Sequence, residues 1–133
     1  CTKAAEYGLF GVVHLATHQR GAGVSLAEIP KAQRIPDKFL SKIFQMLTRA
    51  GIVKSHRGVR GGFSLAKHPN KIKISDIFNA IQGDTDPVKC IAEGKPCAKR
   101  GDCAVRDIIL EGRKQMFVYY DKQTLEDLAA RVR

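Results

Sequence analysis

Acidic residues are scarce in the first half of this 133-residue chain: residues 1–74 carry 3 Asp or Glu against 13 Lys or Arg, while residues 75–133 carry 10 of each. The whole formal net charge of +10 therefore belongs to the first half. Long apolar runs are missing too. Nothing approaches the ~18 consecutive apolar residues of a membrane span, and the opening segment lacks the basic, apolar and small-residue regions of a secretory signal. A soluble, cytoplasmic protein with no membrane partner is expected. The chain opens on Cys1 without a methionine, as expected of a segment that starts inside its encoded protein. A catalytic constellation is also lacking, since no phosphate-binding glycine loop and no Ser/His/Asp order occurs. The histidines His14, His18, His56 and His68 lie away from the cysteines, and His14 and His18, at i and i+4, read as a surface pair. A small basic enzyme would have nothing to work with, so the expectation is a protein that is not an enzyme.

What is present is a foldable composition with a localised charge. At 44% hydrophobic residues the chain can bury a core as one domain of ordinary size. Between Pro30 and Lys73 eleven Lys or Arg face a single acid, Asp37. A solvated face kept basic for solubility would look similar in total. Concentration in one stretch favours a polyanion, DNA or RNA, attracted by counterion release.

Apolar positions Leu9, Phe10, Val13 and Ala16 fall near helical spacing, and Gly21 and Gly23 close a first helix over Thr2 to His18. Ser25 followed by Glu28 has the pattern of a capping box and predicts a short second helix to about Gln33. Pro36 suits the first turn of a third helix that runs to Ala50, with Gly51 ending it. In that helix Leu40, Ile43, Phe44 and Leu47 form one apolar stripe, while Lys38, Ser41, Lys42, Gln45 and Arg49 repeat on the opposite side. Ile52 to Ser55 and Phe63 to Ala66 read as two strands around a loop with Arg57 and Arg60 on a glycine turn. Two short helices ahead of a basic hairpin make a winged helix-turn-helix. In such a fold the third helix suits the major groove and the hairpin arginines a narrow minor groove.

A further short helix is expected from Ile74 to Gln82, ended by Gly83. The following stretch to Cys103 has little apolar content and holds Cys90, Cys97 and Cys103. A loop that long needs a function or something to hold it. Structural disulfides are unexpected in a cytoplasmic chain. Three thiols suit an iron-sulfur cluster or zinc, with a fourth ligand still to be supplied, and the neighbouring Lys89, Lys95, Lys99 and Arg100 favour the thiolates. No close Cys pair of the zinc-finger kind occurs, which leans the reading toward a cluster; three thiols without a ligand role are the plain alternative. Beyond Cys103, Val105, Ile109, Gly112, Met116 and Tyr119 step by 4, 3, 4 and 3, with Ile108 and Tyr120 widening the stripe, a heptad seam expected to form a dimer contact on a long helix. Gly112 costs that helix about 1 kcal/mol relative to Ala, tolerable if a partner helix approaches closely. A capped helix from Thr124 is expected last.

The opening Thr2-Lys3-Ala4-Ala5-Glu6-Tyr7-Gly8-Leu9, the segment Leu40 to Val53, the wing Arg57-Gly58-Val59-Arg60-Gly61-Gly62-Phe63-Ser64-Leu65-Ala66 and the three-cysteine loop together resemble the Rrf2 family of bacterial winged helix-turn-helix regulators. The resemblance implies a homodimer that binds partly palindromic, double-stranded promoter DNA, with an iron-sulfur cluster in the loop controlling affinity. It places the cluster ligands on Cys90, Cys97 and Cys103. In the IscR-like branch a histidine follows the third cysteine by three residues, but Arg106 stands there, with Asp107 next. In the NsrR-like branch a carboxylate near the N-terminus of the other subunit completes the site, and Glu6 stands at the matching place. Glu6 is thus the first choice for the fourth ligand, ahead of Asp107 and then His14; as plain chemistry it is also an ordinary first-turn carboxylate. The family's first cysteine gap is usually five residues, and here it is six.

The fold class expected is mostly α with a small β-wing, a winged helix-turn-helix plus a long C-terminal dimerisation helix. Residues 1–83 form the DNA-binding domain, 84–103 the cysteine-rich cluster-binding loop, and 104–133 the dimerisation helix and C-terminal helix. Lys38, Ser41 and Lys42 are expected in the major groove, Arg57 and Arg60 on the wing, and Thr2 and Lys3 on phosphates. The function expected is a transcription regulator, a repressor, whose 2Fe-2S or 4Fe-4S cluster senses redox state, nitric oxide or cluster status. A thiol-switch or zinc-bound regulator of the same fold is the alternative.

Overall fold

The computed structural model describes residues 3–18, 24, 28, 35–58, 61–82 and 104–132. The helix expected between Ser25 and Gln33, apart from the helical Glu28, and the loop with Cys90, Cys97 and Cys103 lie outside the described residues, as do Thr2 and Arg60. Among the described residues there are five helices and one two-stranded antiparallel sheet. They are α1 (Lys3–His18), α2 (Asp37–Arg49), β1 (Val53–His56), β2 (Gly62–Leu65), α3 (Ile74–Gln82), α4 (Ala104–Lys122) and α5 (Leu125–Val132), with a single 3-10 turn at Pro69–Lys71. This is the mostly helical, small-winged architecture expected from the sequence.

α1 is the central element and packs against α2, α3, α5 and β2. Its close approach to α3 depends on Gly8, where a Cβ would overlap Ile81 Cδ1. Two expectations for α1 are corrected. Phe10, assigned to the apolar stripe, is 46% exposed, because the buried arc is centred on Ala5, Val12 and Leu15. His14, expected on the surface with His18, is only 4% exposed, with its ring stacked on that of His18 at 4.1 Å between centroids. Its Nδ1 is buried without a hydrogen-bond partner among the described residues. The inward arc of α1 is wider than its aliphatic residues suggest, and an imidazole fills part of it.

The stripe of α2 is buried as its spacing requires: Leu40, Ile43, Phe44 and Leu47 all lie in the core. The helix ends in a Schellman motif. Gly51 N–H donates to Thr48 O at 3.0 Å, Ile52 N–H donates to Leu47 O at 3.0 Å, and Gly51 takes a positive φ of 78° that suits glycine. This cap consumes the Ile52 N–H, which is why β1 starts at Val53 and not at Ile52 as expected; β2 runs Gly62–Leu65 in place of the expected Phe63 to Ala66. The strands pair Val53 with Leu65, Lys54 with Ser64, Ser55 with Phe63 and His56 with Gly62. Val24 adds a one-residue third strand through reciprocal bonds with Phe63 of 2.7 and 2.8 Å.

The C-terminal part is fastened to the first half by a short backbone bridge. Ile74 N–H donates to Gln123 O at 2.9 Å and Leu125 N–H to Ile72 O at 2.8 Å, while Ser75 Oγ donates to Asp121. α5 then starts on a reciprocal cap. Thr124 Oγ1 accepts from Asp127 N–H at 3.1 Å, and Asp127 Oδ2 accepts from Thr124 N–H at 3.0 Å. The Thr124 backbone N–H first, and its hydroxyl second, donate to the Asp127 carboxylate and hold it below its usual range. Leu125, first in the helix, is fully buried.

α4 has no buried residue. Phe117 and Tyr120 lie against Phe78 of α3, with the Phe78 and Tyr120 rings stacked at 4.5 Å. The expected heptad positions fall on the open side: Val105 (64% exposed), Gly112, Met116 and Tyr119 are exposed and Ile109 is half-buried, with Ile108 beside them at 73%. Nothing lies within 4 Å of a Cβ built on Gly112.

Two outcomes follow from α1. Gly8→Val destabilises the protein by about 1–3 kcal/mol through overpacking against Ile81, read as a lower urea midpoint. Burial first, and His18 second, lower the His14 pKa from its ordinary 6.5, with Glu28 opposing. A depressed folded pKa means that the unfolded chain takes up the proton first on acidification. The stability is complete above pH 6.5 and is lost as pH falls from there through the folded value. The unfolding free energy should drop between neutral pH and about pH 5, and His14→Leu should flatten that slope; an unchanged slope refutes the assignment.

Candidate nucleic-acid interface

The outward face of α2 carries Lys38, Ser41, Lys42, Gln45 and Arg49, all exposed. This face is the complement of the buried stripe, so one helical period both anchors α2 and aims its polar side chains. Pro36 at the N-cap provides no side-chain acceptor, and Asp37 in the first turn is the carboxylate that faces the helix dipole. Among the described residues Lys38, Lys42, Arg49, Lys54 and Arg57 make no ion pair, the pairs there being Lys3 with Glu6, His68 with Glu126 and Arg106 with Asp107. Cations without carboxylate partners keep their whole charge for a polyanion.

The wing stands beside this face. Arg57 is exposed at the start of the hairpin loop. The loop is tight: Gly61 N–H donates to Gly58 O at 2.9 Å, and a Cβ on Gly61 would stand 2.5 Å from His56 O. Only glycine fits there. Below the loop His56 Nε2 and Ser64 Oγ are hydrogen-bonded at 2.6 Å across the two strands, with Ser64 buried. The Phe63 ring of β2 meets the Phe44 ring of α2 at 5.0 Å, so wing and helix share one rigid base.

The expected DNA-contacting residues that the structure describes thus fall into two groups. Lys38, Ser41, Lys42 and Arg57 belong to α2 and the wing, and Lys3 stands in the first turn of α1, exposed, 3.6 Å from Glu6. Sequence reading missed Phe39, which is 52% exposed on the first turn of α2 with its ring 6.0 Å from that of Tyr7. An apolar residue adjacent to the stripe, but one position out of phase with it, was the available signal.

Of the expected metal ligands, Glu6 is half-buried at the open end of α1. Asp107 is exposed with Arg106 Nε at 4.0 Å, and His14 is enclosed in the core. Among the described residues no group of three or more His, Cys, Asp or Glu is placed to hold a metal ion. No helix among them is long and apolar enough to cross a membrane.

A family model described as "Rrf2: Iron-dependent Transcriptional regulator" matches residues 1–131. The chain is 32% identical over 127 residues to "Protein rrf2" of Nitratidesulfovibrio vulgaris strain Hildenborough, covering 96% of this chain and 85% of that protein. Its fold is similar to CymR (YrzC), described as the global cysteine regulator of B. subtilis, with a TM-score of 0.78 and 28% identity over 98% of this chain and 96% of that one. It is also similar to T. potens IscR, with a TM-score of 0.79 and 26% identity over 100% of this chain and 88% of that one. The chain belongs to the Rrf2 family of transcriptional regulators.

Proposed function

We propose that this protein is a promoter-binding repressor, acting as a homodimer in the cytoplasm, whose DNA affinity is set by an iron-sulfur cluster. The observation that carries the DNA half is the unpaired cationic face formed by α2 and the wing on a rigid base. α2 enters the major groove with Lys38, Ser41 and Lys42 toward base edges and phosphates. Arg57 and Arg60 reach the adjacent minor groove, and Thr2 and Lys3 contact phosphates. The open apolar side of α4, with Val105, Ile108 and Met116, is the surface that a second copy covers. Pairing there sets two copies of α2 against half-sites one helical turn apart.

Cys90, Cys97 and Cys103 supply three thiolates, and the partner subunit's Glu6 the fourth ligand. The donor set suits the group: soft sulfur ligands for iron, with lysines nearby to favour the thiolate form. Glu6 is favoured over Asp107 because it stands at the N-terminal end of α1, on a different element from the cysteine segment. It is favoured over His14 because His14 is enclosed. When bound, the cluster supplies a redox- and nitric-oxide-reactive link, and its loss alters the spacing of the two reading helices. The family description, an iron-dependent regulator, agrees with this reading. Similarity to a regulator described as the global cysteine regulator supports a second one, in which the same cysteines act as a thiol switch, or hold zinc, without iron.

Affinity for a duplex operator selected by the protein should fall with salt, with a log-log slope of about −0.9 per phosphate neutralised. Lys42→Ala and Arg57→Ala should each reduce that slope by about one; a slope near zero in the parent protein rules out the cationic-face reading. Protein purified without oxygen should be coloured and contain iron and sulfide. Cys97→Ser should remove both, and Glu6→Ala should shift the visible spectrum while the far-ultraviolet dichroism stays the same. A colourless protein with stoichiometric zinc, or a metal-free one whose operator affinity follows thiol oxidation, selects the second reading.

A further inference from the structure

A cavity of about 240 Å³ lies where α1, α3, α4 and α5 converge, on a different part of the molecule from the α2 face and the wing. Its walls are apolar: Leu9 of α1, Phe78 of α3, Tyr120 of α4 and Leu128 of α5, with the stacked Phe78 and Tyr120 rings forming one side. Polar groups are confined to two lining residues, Gln123 and Arg131, and to the tyrosine hydroxyls. The backbone groups of Gln123 are already used, its N–H by Tyr120 O and its carbonyl by Ile74 N–H, so its carboxamide is what it offers the cavity. Arg131 makes no ion pair among the described residues. Asp127, which feels the Arg131 charge, has its Oδ2 committed to the Thr124 N–H.

A partly open apolar cleft with one guanidinium that makes no ion pair among the described residues and one carboxamide is the composition of a small-molecule site. The volume falls just below the ~300–1,000 Å³ usual for drug-sized ligands, which limits the occupant to a small metabolite. The walls accept an aromatic ring or branched aliphatic group and offer nothing to a sugar or nucleotide. The guanidinium fits a carboxylate in a bidentate fork. We propose that this cavity binds a small organic carboxylate with an aromatic or branched aliphatic body, the anion held by Arg131 and Gln123. The consequence for regulation rests on the DNA-binding reading above; the binding itself does not. Leu9, Phe78 and Leu128 belong to the core that carries α2, whereas Tyr120 belongs to α4, which has no buried residue and keeps its open face outward. An occupant that fits one placement of α4 on that core better than another shifts the balance between them. It therefore changes the spacing of the reading helices in the dimer.

The composition supplies a probe: the chain has no tryptophan and three tyrosines, and two of these, Tyr119 and Tyr120, line the cavity. Titrating the full chain with 3-phenylpropionate should give a saturable change in tyrosine fluorescence, matched by calorimetry. The neutral 3-phenylpropionamide should bind roughly tenfold more weakly. Arg131→Gln, a change at an exposed position, should reduce the carboxylate to the affinity of the amide, and Leu128→Phe, which fills the cavity, should weaken both. In the parent protein, saturating carboxylate should change operator affinity at least about threefold, and in Arg131→Gln it should not. Absence of saturable binding up to about 10 mM overturns the proposal. Equal affinity for acid and amide, or full affinity in Arg131→Gln, does so as well. Binding seen only after Ile108→Lys has broken the open face of α4 assigns the cavity to a second copy of the chain and also overturns it. Carboxylate binding with unchanged operator affinity removes the regulatory consequence and leaves the DNA-binding reading intact. Failure to bind DNA at all leaves the fluorescence result to decide the site.

Discussion

The ring of Phe44 is the constraint on which the geometry of α2 and the wing depends. It is fully buried in α2, lies 5.0 Å from the Phe63 ring of β2, and is crossed so closely by α1 that a Cβ on Gly11 would come within 2.9 Å of its Cε2. Three elements therefore take their positions from one side chain, and rings buried in this way are worth about 3–5 kcal/mol each. Aromatic contacts between rigid elements leave little freedom for the wing to swing independently of α2. Lys42 and Arg57 consequently present their charges at a fixed offset, which is what the proposed interface across two grooves requires.

Electrostatics and packing divide the molecule in different places. The charge excess ends near residue 74, and among the described residues Lys38, Lys42, Arg49, Lys54 and Arg57 of α2 and the wing are exposed and make no ion pair. The hydrophobic cluster takes no notice of that boundary and includes Leu125 of α5 alongside Leu15 and Ile77. A basic surface repels itself, and a core assembled from both halves offsets that repulsion. α4 stands apart from this arrangement. It is attached through Phe117, Tyr120 and the Ser75 to Asp121 hydrogen bond, and it keeps its own apolar residues outward.

Much of the fold could be read from local sequence because local signals produced it. The stripe Leu40, Ile43, Phe44 and Leu47 is a run of correct helical spacing, and Gly51 and Gly61 stand where a helix cap and a tight loop require them. The open seam of α4 was legible for the same reason. Long-range features were not. The pairing of Val24 with Phe63 involves one residue without a strand pattern around it, and the bridge from Ile72 and Ile74 to Gln123 and Leu125 joins distant segments through backbone groups that carry no sequence signature. His14 misled because polarity is a weak guide to burial when a ring can stack on its neighbour. Composition located the cationic face, but side-chain pairing, which decides how much of that charge is available, needed coordinates. Along the chain Tyr119 and Tyr120 read only as part of the seam, and folding gives them a common cavity with Arg131.

The bridge between Ile72–Ile74 and Gln123–Leu125 also sets the order in which the protein can be made. The first half holds the reading helix and wing, but its hydrophobic cluster remains open at one end until Leu125 and Ala129 arrive. On the ribosome the reading elements emerge early, yet they wait with Ile72, Ile77 and Leu15 incompletely covered while the following residues are synthesised. Contacts of such large sequence separation slow closure and tie the two halves into a single cooperative unit. Removing α5 from the finished protein would reverse that last step and uncover Leu15 and Ile77, so the core beneath α2 rests on a helix from the other end of the chain.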